Sequence, residues 1–167
     1  MIRIRLARLS DAPRISELLT ANAADHGGVL MGRWPVETIQ QRIAAEQRII
    51  VAVDDDARLL GALLTSEKGF EAAPPVLAML KAWPGRADAY VYGPVCISAE
   101  ARGHGVLEAL HAKLRTIFRG REAVLFIRAD NRRSLGAHLK LGMLEVARFV
   151  LDDESFIVLS DESGDLR

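Results

Sequence analysis

Between Tyr90 and Val106 the chain reads YVYGPVCISAEARGHGV. An apolar stretch runs into a short polar turn, then a bend containing Gly103 and Gly105, then an amphipathic stretch. A strand must therefore hand the chain to a helix through two glycines. Their missing side chains leave the backbone open to close approach. The helix that follows has first N–H groups without acceptors inside the helix. Those donors, with the helix dipole, make a place for a phosphate or another anion.

The rest of the chain supplies the elements around that bend. Ile2, Ile4 and Leu6 alternate as in a strand. Ser10 or Asp11 can cap a helix with Pro13 in its first turn and Ile15, Leu18 and Leu19 on its apolar face. His26-Gly27-Gly28 breaks the pattern, and a second helix starts near Pro35, with Ile39 and Ile43 four apart. Arg48–Val53 and Leu59–Thr65 read as a hairpin around Asp54-Asp55-Asp56. Ser66 to Asp88 is irregular, with a short helix from Pro74 that Pro84-Gly85 ends. After the bend, Val106, Leu107, Leu110, Leu114, Ile117 and Phe118 form a helical stripe. Ala123–Ile127 is apolar throughout, as a strand covered on both faces is. Asp130 or Asn131 caps a helix that stops at Gly142, and a hairpin closes the chain around Asp152-Asp153. The order β-α-α-β-β-(irregular)-β-α-β-α-β-β holds one strand–helix–strand unit, whose strands are parallel, flanked by hairpins. The class is α+β, or mixed α/β.

At 167 residues the chain reads as a single domain, 1–167. Its net charge is zero, so no global field favours nucleic acid or an anionic membrane. The lone cysteine, Cys96, has no partner for an internal disulfide, which suits a reducing compartment. The start, MIRIRLARL, alternates rather than forming the apolar run of a signal peptide. No apolar run approaches the ~20 residues that span a bilayer. The expectation is a cytoplasmic protein.

Two motifs resemble the GNAT superfamily of acyl-coenzyme A-dependent N-acyltransferases. Arg102-Gly103-His104-Gly105-Val106-Leu107 stands where that family has its pyrophosphate turn, [R/Q]-x-x-G-x-[G/A], with Leu107 replacing the small final residue. Downstream, Asn131, Ser134, His138, Gly142 and Met143 fall at the offsets where the family often has Asn, a small residue, Tyr, Gly and an aromatic. The resemblance implies a mixed, mostly antiparallel sheet of about six to seven strands, one central parallel unit and helices on both faces. A dinucleotide-binding turn fits less well: Glu108 stands where its third glycine belongs, and only one βαβ unit is visible.

The resemblance further implies acetyl-coenzyme A as acyl donor, with no metal. Backbone N–H groups of Arg102, Gly103, His104, Gly105 and Val106 would cradle its pyrophosphate. Val95, Cys96 and Ile97, in a strand that Gly93-Pro94 could bulge, would pair with pantetheine. Asn131 and Ser134 would touch the coenzyme, Asp130 being an equally good helix cap that leaves Asn131 for the ligand. His138 stands where the family's Tyr protonates the departing thiolate. A thiol pKa of about 8.5 and an imidazole pKa of about 6.5 make the transfer feasible. A histidine packed under the coenzyme is the other reading. His26, His104 and His111 read as surface or pocket-lining, and Cys96 as a buried inert thiol.

The expected reaction is direct attack of an amine on the thioester in a ternary complex. Glu67, Asp88, Tyr90 and Tyr92 are the candidates to take the amine proton, and Tyr90 and Tyr92 share a strand face. The acceptor would meet the loop His26 to Trp34 and the segment Ser66 to Asp88, so Trp34, Glu67 and Tyr92 are the candidate substrate contacts. A small amine, an amino acid or a peptide N-terminus all fit, and exposed sheet edges would suit a homodimer. The alternative is an acyl-coenzyme A sensor or an interaction module with weak or no catalysis.

Overall fold

A computed structural model of the chain describes residues 1–26, 28 and 30–161. Gly27 and Val29, within the expected acceptor loop, lie outside them. In chain order the elements are β1 (Arg3–Leu6), α1 (Ala12–Ala21), α2 (Val36–Ala44), β2 (Ile49–Val53), β3 (Leu59–Glu67), α3 (Pro74–Ala82), β4 (Tyr90–Ile97), α4 (Val106–Ile117), β5 (Ala123–Arg128), α5 (Arg132–Lys140), β6 (Leu144–Leu151) and β7 (Glu154–Ser160). The strands are ordered β1-β2-β3-β4-β5-β7-β6. β4 and β5 run parallel, pairing Tyr90 with Ala123 and Val91 with Val124. The pairs β1–β2, β2–β3, β5–β7 and β6–β7 are antiparallel. This is the mixed, mostly antiparallel sheet with one parallel unit that the resemblance implied. No helix among the described residues is long and apolar enough to cross a membrane. The chain divides into two compact units, Met1–Thr65 with Gly93–Arg119, and Ser66–Tyr92 with Gly120–Arg167.

In the first unit every residue of β2 is buried. Ile49, Val51 and Val53 share one face by strand alternation. They join Ile15 and Leu19 of α1, Ile39 of α2, Ala62 and Leu64 of β3 and Cys96 of β4 in one core. α4 packs on β1 and β2, burying Val106, Leu110, His111 and Leu114. His111 thus belongs to the core-facing row of α4 rather than to the surface. Asp11 holds the N-cap position of α1 but makes no forward capping bond. Its carboxylate turns back instead to the Arg8 N–H (2.6 Å) and the Arg5 guanidinium (2.7 and 3.1 Å). The Arg5 hydrogen bond holds the Asp11 carboxyl below its ordinary range against the opposing effect of burial. The β2–β3 turn is closed by Asp54, whose Oδ1 accepts from the N–H groups of Asp56 and Arg58, both at 2.9 Å.

In the second unit, Val76 and Met79 of α3 pack with Val91, Val124 and Val158. Phe149 stacks on Phe156 at 4.9 Å between centroids, and Phe126 meets Phe156 edge-on at 5.6 Å. The β6–β7 hairpin turns at Asp152 and Asp153, at φ +50° and +64°. Positive φ at both central residues matches the strand twist in a two-residue loop. The irregular segment after β3 is organised by Glu122, which is fully buried. Glu122 Oε2 accepts from Trp83 Nε1 (2.8 Å) and Ser160 Oγ (2.6 Å), and Oε1 accepts from the Arg86 N–H (2.7 Å). Gly85, at φ +69°, has no room for a side chain, since a Cβ there would lie 2.9 Å from Glu122 Oε1. Lys68 Nζ donates to the carbonyls of Pro84 and Arg86, both at 2.8 Å. Trp83 is thus a packing residue, its Nε1 engaged by Glu122.

Burial works to raise the Glu122 pKa, but the hydrogen bonds from Ser160, Trp83 and the Arg86 backbone outweigh it and hold it below the usual range. A depressed folded-state pKa stabilises the fold above the unfolded pKa, and that contribution is lost as pH falls through the folded value. Stability should therefore fall as pH drops below about 4.5, the ordinary glutamate range. Glu122→Gln should flatten that slope. Glu122→Ala should cost about 3 kcal/mol at neutral pH, because three donors lose a buried charged acceptor. Urea unfolding of both variants from pH 7 to 3 measures these effects.

Candidate functional site

The turn between β4 and α4 is built from backbone conformation. A single 3-10 turn, Ala99–Ala101, leads to Arg102, and Gly105 is the N-cap of α4. Gly103 and Gly105 both sit at φ +79°, in the left-handed region. A Cβ built on either would meet nothing within 4 Å. Conformation, rather than crowding within the protein, thus requires glycine here, and the space over the turn is open. Arg102, Gly103, His104 and Gly105 are exposed, whereas Val106 is buried and anchors the helix start. Leu107, where the resembled motif has a small residue, is half-buried in the first turn of α4.

Three contacts hold this turn against the rest of its unit. Gly61 of β3 lies so close that a Cβ there would stand 2.9 Å from Ile97 Cδ1, 3.0 Å from Val106 Cγ1 and 3.2 Å from the Cys96 carbonyl. The Ser98 N–H donates to the Leu60 carbonyl at 2.8 Å, tying the end of β4 to β3. Arg102 Nη2 donates to Asn22 Oδ1 at 2.9 Å, and Asn22 Nδ2 donates in turn to the Leu18 carbonyl at the end of α1. Asn22 is a support that sequence reading missed. It lies 80 residues from Arg102, and no local pattern links the two. Its own carbonyl leaves no space for a side chain at Gly28.

Val95 and Ile97 are half-buried and Cys96 is buried. Burial pushes the Cys96 thiol up to about 11, with Arg102 and Asn22 opposing. A thiol so placed is protonated at neutral pH, in keeping with an inert cysteine. The backbone irregularity of β4 is at Gly93, φ +113°, followed by a cis peptide to Pro94. β4 lies inside the strand order, so Pro94 is not on an edge strand.

In the second unit, Asn131 itself caps α5, its Oδ1 accepting from the Ser134 N–H at 3.3 Å. Asp130, expected to be an equally good cap, instead pairs with Arg128 at 2.9 Å. α5 ends as its sequence suggests. The Gly142 N–H donates to the Leu139 carbonyl and the Met143 N–H to the His138 carbonyl, with Gly142 at φ +94°. Met143 is buried under that end.

His138 lies one turn along α5 from Ser134 and is 2% exposed. Its Nδ1 is 2.7 Å from the Ser134 carbonyl, and its Nε2 is 2.9 Å from the hydroxyl of Tyr92, itself buried. The Tyr92 and His138 rings meet edge-on at 5.4 Å. Burial lowers the His138 pKa, partly offset by the Ser134 hydrogen bond. Burial likewise pushes the Tyr92 phenol well above its ordinary value, with Tyr90 and Asp161 adding to the effect. The structure thus brings Tyr92, Asn131, Ser134 and His138 together. Motif spacing singled out the last three, but nothing in the sequence paired Tyr92 with His138.

The other candidates have different surroundings. The Glu67 carboxylate is held bidentate by Arg121 (3.0 and 2.5 Å), which lowers its pKa and so its basicity. Trp34 joins the core of its unit. Its Nε1 donates to the Met31 carbonyl at 3.0 Å, and the Arg42 guanidinium lies 5.1 Å from its ring. Among the described residues, no three His, Cys, Asp or Glu side chains are grouped to hold a metal ion.

No protein-family model matches the chain, and no curated protein matches it. Solved structures do. A GNAT-family acetyltransferase from Streptococcus agalactiae 2603 aligns over 95% of this chain and 94% of its own, with TM-score 0.72 and 16% identity. A ribosomal-protein-alanine N-acetyltransferase from Brucella melitensis aligns over 95% and 98%, with TM-score 0.69 and 16% identity. Arabidopsis thaliana NAA60, solved in complex with acetyl-CoA, aligns over 96% and 97%, with TM-score 0.67 and 14% identity. The fold of this chain is therefore the GNAT acetyltransferase fold.

The open space and the left-handed backbone at Gly105 can be separated by substitution. Asn tolerates the left-handed region and has room, so Gly105→Asn should cost well under 1 kcal/mol. Gly105→Val should cost about 1–2 kcal/mol through backbone strain. Thermal unfolding followed by circular dichroism measures both. Equal losses in the two variants would count against conformation as the reason for glycine.

Proposed function

We propose that the chain is an N-acetyltransferase that moves an acetyl group from acetyl-coenzyme A to an amine. One observation carries this reading: in a chain with the GNAT fold, an exposed turn with two left-handed glycines opens α4 beneath open space. The free N–H groups of such a helix start suit the pyrophosphate of a coenzyme, since they supply donors and the positive end of the dipole. Arg102 adds an exposed guanidinium beside them. Backbone groups of Val95, Cys96 and Ile97 would pair with the pantetheine amides. The Nδ2 group of Asn131 is the end that could reach the coenzyme, because its Oδ1 caps α5. The chain would work as one acetyltransferase domain without a metal.

The reaction is aminolysis of a thioester. The amine nitrogen bonds to the carbonyl carbon, the C–S bond breaks, and the thiolate takes up a proton. Proton transfer to and from the reacting atoms contributes typically 10²–10⁴-fold. Among the candidate proton acceptors, Glu67 is weakened by Arg121, while Tyr92 is buried against an imidazole. A small amine, an amino acid or a peptide N-terminus fits as acceptor. One structural neighbour is by name a ribosomal-protein-alanine N-acetyltransferase, which supports an amine acceptor of that kind. A sensor that binds the coenzyme without turnover is the second reading. It is favoured by the engagement of both His138 ring nitrogens.

Acetyl-coenzyme A at about a hundred times its dissociation constant should stabilise the fold by about 2.7 kcal/mol, raising Tm by roughly 5–10 °C. Arg102→Ala with Gly105→Asn should abolish most of that rise, by removing the guanidinium and by placing a side chain over the turn. Thiol release across a panel of amines then separates the enzyme from the sensor. No stabilisation by any acyl-coenzyme A would sink both readings.

A further inference from the structure

Ser134, His138 and Tyr92 together define the direction of one proton. A carbonyl oxygen has no hydrogen to give, so the His138 nitrogen 2.7 Å from the Ser134 carbonyl, Nδ1, is protonated. In the neutral ring the lone pair is then on Nε2, and the Tyr92 hydroxyl 2.9 Å away is the donor. The hydrogen of Tyr92 is therefore spent on His138, and its oxygen keeps acceptor lone pairs for anything else that approaches. The pair is firmly held. Tyr92 belongs to β4, His138 to the last turns of α5, and both are at least 97% buried. The Ser134 hydroxyl lies 3.4 Å from the same Nδ1. Among the described residues no carboxylate is hydrogen-bonded to either ring, and the groups whose charge bears on Tyr92 are Tyr90 and Asp161.

We infer that, in the acetyl transfer proposed above, Tyr92 accepts the proton of the attacking amine while passing its own proton to Nε2 of His138. The inference rests on that reading of the function. It turns His138 from the acid suggested by its place in the motif into the base that holds the proton. As the C–N bond forms, the amine N–H proton moves to Tyr92 Oη, and the Tyr92 proton moves to His138 Nε2. The imidazolium keeps Nδ1–H on the Ser134 carbonyl. When the C–S bond breaks, the thiolate leaves with the electron pair, and the proton returns through Tyr92 to the sulfur. No other reactant is needed. Tyr92 is the catalytic residue, and His138 is a positioning residue that acts through it.

Two measurements test the pair. In the folded wild-type protein, ¹⁵N-detected imidazole spectra should show His138 as the Nδ1–H tautomer, whereas an Nε2–H tautomer overturns the inference. In thiol-release assays, Tyr92→Phe should lower kcat by about 100-fold with the KM for acetyl-coenzyme A changed less than about twofold. His138→Gln keeps an acceptor for the Tyr92 hydroxyl but cannot take its proton, so it should lose the same factor. The double variant should lose no more than either single variant, because the residues act as a unit. If His138→Gln keeps the wild-type kcat, or the two losses multiply, the relay is wrong. Absence of thiol release from the wild type with any amine overturns the acetyl-transfer reading and the relay with it. The other adverse outcomes overturn the relay alone.

Discussion

Gly103 and Gly105 hold backbone at φ +79°, which most side chains resist by 1–2 kcal/mol per residue. Two such positions in three residues are what allow β4 to hand the chain to α4 with the helix start exposed. The remainder of the first unit adapts to that turn. Val106 is buried immediately after it, and Gly61 of β3 gives up its side chain so that Ile97 and Val106 can come close. The Ser98 N–H is tied to β3, and Arg102 is tied to Asn22. A bare backbone loop alone would be mobile in conformation. These contacts tie the turn to β3 and to Asn22, as the anion binding proposed above would require of a preorganised site.

Glu67 and Glu122 of the second unit show how burial sets the weight of a charge. Glu67 pairs with Arg121 at the surface, where solvent screens the attraction and about 1 kcal/mol is the most to be expected. Glu122 is instead fully buried, and three donors converge on its carboxylate, with the Arg86 charge adding to their effect. Its removal is the more costly because the donors would be stranded. The same logic gives His138 its character. Burial favours the neutral form of this imidazole, so its hydrogen bonds to Ser134 and Tyr92 matter more than any charge.

Much of the architecture is legible from local pattern. The hairpin around Asp54 and the turn at Asp152-Asp153 follow from turn chemistry. Gly142 ends α5 with the expected backbone bonds, and the stripe on α4 faces the sheet. Where reading by pattern diverges, the reason is a side-chain contact or a packing position that the pattern does not specify. Asp11 caps backwards because Arg5 and the Arg8 N–H offer it more than the first turn of α1 does. Asp130 leaves the cap to Asn131 because Arg128 holds its carboxylate. His111 is buried because its place on α4 matches the inward row, whatever the polarity of its ring.

By itself the sequence determined the order of elements, the glycine turn and the spacing Asn131–Ser134–His138, because each of these is a property of neighbours along the chain. It could not decide which groups meet across long separations. Tyr92 and His138 are 46 residues apart, Trp83 and Glu122 are 39 apart, and Arg102 and Asn22 are 80 apart. Those meetings depend on strand order and helix packing, which no local pattern encodes. Only the tertiary structure therefore decided that His138 faces a tyrosine hydroxyl with its lone pair. A side chain's place in a motif says where it stands, but its hydrogen-bond partners set its proton.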